Sequence, residues 1–164
     1  MAAGDPPVSP PRLESDRAGV MDEVTQARET MNKLARAFDA HDVESAALLF
    51  HPQCALVGPE GTADGRMEVA SFLERFFIAF PDSRRSTWRE MDVGDCVINE
   101  VMLNCTHKGP LLLPTGDEIE ATGRRVHLRV CEIVTVEDGL VVSFQGYYDQ
   151  LELLAQLGLY PPPG

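Results

Sequence analysis

Glu132 is the residue whose placement could do chemistry. In the run Val126-His127-Leu128-Arg129-Val130-Cys131-Glu132, apolar side chains recur at every second position. That period puts alternate residues on one face of a strand. Counting on from Val126 places Glu132 on the face of Leu128 and Val130. A carboxylate inside a sheet is costly unless it is hydrogen-bonded or neutralised, and burial raises its pKa toward the range useful for general acid–base work. Three readings stand together: a functional carboxylate, a carboxylate satisfied by a core partner, and a bulge near Cys131 that turns it outward.

Little else in the chain offers reactive chemistry. His41, His51, His107 and His127 fall on different elements at spacings that hold no metal, and read as capping, turn or surface residues. Cys54, Cys96, Cys105 and Cys131 form no C-x-x-C and suit apolar or semi-buried positions in a reducing cytoplasm. Nucleotide, P-loop, zincin and serine-hydrolase signatures are missing. The net charge of −12 argues against nucleic acid and anionic membranes as partners. Arg84-Arg85 and Arg124-Arg125 are only pairs and read as solvated loop or strand-end charge. No basic-then-apolar leader and no membrane-length apolar run is seen, so a cytoplasmic protein is expected.

The elements that must position Glu132 follow from pattern. Residues 1–17 are rich in Pro, Gly, Ala and acidic side chains and read as a disordered tail. Residues 18–160 read as one domain. Ala27, Met31, Leu34 and Phe38 share a helical face that runs from about Ala18 to Ala40. Asp42 suits the N-cap of a short helix stopped by Pro52. Cys54 to Val57 is a short strand and Gly58-Pro59-Glu60-Gly61 a turn. Gly65 to Phe80 is a third helix with an aromatic face of Phe72, Phe76, Phe77 and Phe80, a stripe that suits a core. Ser83–Val93 and Asp95–His107 are strands, and Val97, Asn99, Val101, Leu103 and Cys105 share one face of the second. Lys108 to Gly123 is a long connection. Its Leu111-Leu112-Leu113 must be buried, either across the sheet edge or as a flap over a pocket. Glu137-Asp138-Gly139 turns into the strand Leu140–Tyr148, and Asp149 caps a closing helix that Gly158 ends. The sum is an α+β domain.

Several runs resemble the SnoaL-like polyketide cyclases, within the cone-fold group of ketosteroid isomerase, limonene-epoxide hydrolase and nuclear transport factor 2. They are His41-Asp42, Thr106-His107-Lys108-Gly109-Pro110-Leu111, Thr122-Gly123-Arg124-Arg125-Val126, Glu137-Asp138-Gly139, and Tyr147-Tyr148-Asp149-Gln150-Leu151-Glu152-Leu153-Leu154 through Gln156-Leu157-Gly158-Leu159. The resemblance spans about Met21 to Tyr160. It implies a curved antiparallel sheet wrapped by three N-terminal helices into a cone with a deep apolar pocket, closed by a short C-terminal helix. It also implies no cofactor and a homodimer through the outer sheet face, here bearing Glu100, His127, Arg129 and Gln145.

Residue by residue, the family's chemistry transfers sparsely. The acid–base aspartate of the aromatic polyketide cyclases falls on Gly146, and its polar partner on Glu132. The Arg-x-Asp pair and terminal aspartate of the epoxide hydrolases fall on Val101, Leu103 and Gly146, and their Tyr-x-Asn on Ala55 and Val57. What remains is an apolar hollow with one acid. Glu132 is the expected catalytic residue. Val101, Leu103, Leu128, Val130, Phe144, Gly146, Tyr148, Phe38, Phe76, Phe80 and Leu112 are expected to bind a hydrophobic polyketide-like substrate. The expected function is cofactor-independent ring closure in natural-product biosynthesis, by templated cycloaddition or by aldol-type proton shuttling. A non-catalytic hydrophobic binder and an epoxide-opening enzyme are the alternatives.

Overall fold

The Asp138-Gly139 turn sets the middle of the sheet. Both residues hold positive φ, 49° and 75°, the requirement of a tight two-residue hairpin. It joins β7 (Arg125–Glu137) to β8 (Leu140–Tyr147). The computed structural model describes residues 14–160, with side chains from residue 26 onward.

Ahead of this hairpin come α1 (Glu14–Asp39), α2 (Val43–Leu48), β1 (Phe50–Gly58), β2 (Gly61–Asp64), α3 (Arg66–Ala79), β3 (Arg84–Val93) and β4 (Cys96–Thr106). The long connection folds into a small hairpin, β5 (Leu111–Leu112) and β6 (Glu118–Ile119), and α4 (Gln150–Gln156) closes the chain. Asp42 caps α2 by accepting from Ser45 N at 3.0 Å, and Asp149 caps α4 by accepting from the Leu151 and Glu152 amides. α1 begins at Glu14, inside the stretch read as a tail. The rest of that stretch, residues 1–13, lies outside the described residues.

The six-stranded sheet has the order β2-β1-β8-β7-β4-β3. It is curved and mixed, not wholly antiparallel as the sequence suggested, because β1 runs parallel to β8. Hairpin logic pairs neighbours in sequence, whereas parallel strands need a long crossover, here everything between Gly58 and Leu140. β1 is also longer than its apolar run, since Pro52 falls where the pairing register shifts between Phe50 and Ala55.

The helices cover one face. Ala27, Met31 and Leu34 of α1 and Val69, Leu73 and Phe77 of α3 pack onto Leu56, Val97, Val134 and Val141. Phe38 lies 5.0 Å from Phe77 and 5.5 Å from Phe76, ring centre to ring centre. A second cluster, around Phe80, Cys105, Val126, Leu128 and Leu157, fills the far end. The four cysteines are unpaired, and burial pushes the Cys105 thiol up to about 12, so it is inert.

His107 is wholly buried rather than a cap or surface residue, with its ring 5.5 Å from Phe80. It clamps the base of the β5–β6 flap. Its amide donates to Arg124 O, its carbonyl accepts from Gly123 N, and its Nδ1 accepts from Thr122 N at 3.2 Å. An Nδ1 that accepts a backbone N–H carries no proton, so the ring is neutral with its hydrogen on Nε2. Burial lowers the His107 pKa, offset in part by the Gly109 backbone.

Below about pH 6.5 the unfolded chain takes up a proton at this histidine before the folded chain does, so stability held above that pH is lost as pH falls through it. The buried carboxylates Glu132 and Glu60, whose pKa values are raised, push the other way. A His107→Gln comparison isolates the histidine. Urea midpoints at pH 7.5 and pH 5.5 should show wild type losing more stability on acidification than the variant, roughly as expected for one titrating group. Equal losses would remove the clamp from the account.

Candidate active site

β7 turns Glu132 inward. In register it faces Asn99 on β4 and Gly146 on β8, and its residue exposure is 7%. No bulge falls at Cys131, and the side chain does not face solvent. Its partner is Arg85 of β3, whose Nη2 donates to Glu132 Oε2 at 2.5 Å, with side-chain exposures of 7% and 9%.

This overturns the reading of Arg84-Arg85 as solvated charge. Arg84 points out, and Arg85 pairs with Leu103 on the inner face. The Arg85 guanidinium lies 5.4 Å from the centre of the Phe38 ring. Among the described residues its side chain makes no hydrogen bond except that to Glu132, and Nε is buried without a partner.

Behind the pair stands a polar support. Arg28 of α1 donates to Asn99 Oδ1 at 2.9 Å and to Asp92, with Glu90 at 3.2 Å. With its oxygen so occupied, Asn99 is left to donate through its NH2 toward Glu132. Burial pushes the Glu132 carboxyl up, against the Arg85 charge and the Asn99 and Arg85 hydrogen bonds.

The pair sits in the wall of an apolar cavity of about 240 Å³. An apolar cavity of ~150 Å³ holds a benzene, so this one takes roughly ten heavy atoms of a substrate at a time. Val101, Leu103, Leu128, Val130, Phe144, Gly146 and Tyr148 line it from the sheet, Phe38, Phe76 and Phe80 from the helical side, and Leu112 from the flap. The geometry thus gathers the residues singled out in the sequence around one hollow. Leu111 and Leu113 join Leu112 there, and Leu112 is half exposed at the rim, so the flap geometry, not the sheet edge, takes up the leucine run.

Three charged residues of the lining went unnoticed in the sequence. Arg85 is one, and Arg75 of α3, exposed to solvent, is another. Glu60 is the third, hidden in a Gly-Pro-Glu-Gly turn that carries no facing pattern. The Tyr148 hydroxyl donates to Glu60 Oε2 at 3.0 Å. Val101 and Leu103 are apolar walls of the cavity. Among the described residues no group of three or more His, Cys, Asp or Glu is placed to hold a metal.

With this geometry in view, a profile of SnoaL-like polyketide cyclases matches residues 28–157. The chain belongs to the SnoaL-like polyketide cyclase family. Family membership supports a general polyketide-cyclase role. Solved structures share the cone fold. AclR from Streptomyces galilaeus superposes with a TM-score of 0.71 at 21% identity, over 85% of this chain and 89% of its own. IdmH from Streptomyces antibioticus, a proposed polyketide cyclase, gives 0.67 at 24%, over 81% and 99%. A limonene-epoxide-hydrolase-like epoxide hydrolase of M. tuberculosis gives 0.64 at 18%, over 82% and 91%. At these identities they speak to fold alone. No curated protein matches the chain. No helix among the described residues is long and apolar enough to cross a membrane.

Proposed function

We propose that this SnoaL-like protein closes a carbon ring in a bulky, polyketide-derived substrate without a cofactor, with Glu132 and its partner Arg85 at the reacting centre and the apolar lining as the substrate site. The observation that carries the reading is a desolvated carboxylate–guanidinium pair, with guanidinium donors unspent, in the wall of an otherwise greasy hollow. Such a site binds hydrophobic molecules and is poorly equipped to activate water.

Two courses fit. In the first, the walls fold a polyene so that its reacting carbons meet, and Arg85 polarises a substrate carbonyl while Glu132 holds Arg85 in place. Bond formation is then a cycloaddition with no net proton movement. In the second, the Glu132 carboxylate takes a proton from carbon next to a carbonyl, the resulting enolate attacks a second carbonyl, and the alkoxide takes that proton back. The first is favoured, because the Glu132 carboxylate is already engaged by Arg85 and Asn99 and not turned to a substrate carbon.

Glu132→Gln separates them. Proton shuttling loses on the order of 10²-fold or more in kcat, the usual contribution of a general acid–base group. Templating loses far less. Wild-type protein that binds a polyene substrate and returns it unchanged would support a non-catalytic binder instead, and turnover of epoxides would support ring opening, which apolar Val101 and Leu103 disfavour.

A homodimer through the outer sheet face belongs to the same proposal. Met91 and Tyr147 are exposed beside Glu100 and Arg129 there. So do a cytoplasmic setting and the absence of a nucleic-acid partner. Chromatographic mass against Met91→Lys tests the dimer.

A further inference from the structure

Glu60 is a second carboxylate on the cavity wall, and ring closure at Glu132 leaves it without a task. It folds back over Gly58, where a Cβ would stand 2.6 Å from Glu60 Oε2. Burial pushes its carboxyl up, and burial together with the Glu60 charge pushes the Tyr148 hydroxyl up as well. A carboxylate offers about four lone-pair directions. Among the described residues, Tyr148 is the only other side chain that takes one. Acceptor capacity is left over, and both residues line the hollow.

The spacing to Arg85–Glu132 can be read from register. Val57 pairs with Gln145 across β1–β8, so Gly58 continues level with Gly146, which pairs with Glu132 across β7–β8. Two strand spacings separate the backbone at Gly58 from that at Glu132, about 10 Å. Neither Gly58 nor Gly146 puts a side chain between them. At Gly146 even an added Cβ would meet only Phe144 at 3.9 Å and Val57 O at 4.0 Å. A bare strip therefore joins two polar ends.

We propose that the cavity grips its substrate at both ends: a carbonyl oxygen accepts from the Arg85 guanidinium, and a hydroxyl at the other end donates to Glu60, with hydrocarbon lying across Gly146. The substrate class is a neutral, largely hydrocarbon chain whose carbonyl and hydroxyl stand roughly eight bonds apart, given ~1.5 Å bonds in a zigzag. This rests on the hollow being the substrate site.

The test is binding, by NMR titration, of methyl octyl ketone and its ω-hydroxy derivative to wild type and to Glu60→Leu. Wild type should hold the hydroxyketone about ten-fold more tightly, as a hydrogen bond to a charged group implies. Glu60→Leu should lose that preference and still take the plain ketone, which also shows that it is folded. Gly58→Ala, which pushes the same carboxylate aside, should weaken the preference too and serves if the leucine variant does not fold. Equal affinities in wild type, or a preference that survives both variants, would overturn the two-ended grip and leave the cyclase reading standing. If neither ketone binds wild type, both the grip and the hollow as substrate site are overturned.

Discussion

Arg85→Met should lower the folding stability by about 3–5 kcal/mol, the usual cost of stripping a buried carboxylate of its cation. The magnitude follows from how little water reaches the pair, with side-chain exposures of 7% and 9%. Once Arg85 is gone, Asn99 alone remains to solvate Glu132, and the carboxyl pKa must climb further. The variant should therefore recover part of its loss as pH falls from 7 toward 5, when Glu132 takes a proton and burial becomes cheap. Arg85→Met combined with Glu132→Leu should be far more stable than the single variant, because apolar groups of similar volume replace a buried pair at little cost. Urea midpoints for the four proteins of this cycle at both pH values give the measurement. A single variant that unfolds at the wild-type midpoint would mean the pair is solvated in solution.

The second large effect is expected at Gly109, the first residue of the flap that packs against α3. A Cβ there would stand 2.2 Å from the Ile78 carbonyl oxygen and 2.9 Å from its carbon, both backbone atoms that cannot swing away. The amides of Lys108 and Gly109 also donate to Ala79 O, at 2.9 and 3.3 Å, which satisfies a carbonyl at the end of α3. Gly109→Ala must therefore push the flap off the helix and weaken these bonds. A loss of about 3 kcal/mol is expected, at the upper end for overpacking. Hydrogen exchange should quicken in residues 108–123 beyond the global change. Gly146→Ala is the matched control, since its new methyl enters ordinary contact. It should leave the urea midpoint nearly unchanged while shrinking the hollow. If both alanines behave alike, the flap is not pinned through Gly109.

How much of this could be read from the chain depends on the strand. In β7 the inner positions are apolar, so a period of two located Glu132 and, with Val101 and Leu103 on β4, much of the sheet side of the cavity wall. In β3 the inner positions are Arg85, Thr87, Glu90 and Asp92, with the register shifting between Thr87 and Arg89 at the bulged Trp88. A polar inner face, covered by Arg28 from α1, carries no alternation of hydrophobicity, so Arg85 could not be told from surface charge. Glu60 was invisible for a different reason, since a turn residue has no face until the strands beside it are placed. Pairing of β1 with β8 is likewise a fact about three-dimensional adjacency, and no local pattern encodes it.

That last pairing has a consequence for how the molecule is made. Phe50 docks beside Val141, so β1 waits for residues translated long after it. Contacts so distant in sequence slow folding and leave the unpartnered edge exposed meanwhile. A nascent chain halted before Leu140 would hold β1 with no parallel neighbour, and its hydrophobic inner surface would be open to chaperones. Enclosure of the hollow is thus a late event, completed when the final strand leaves the ribosome.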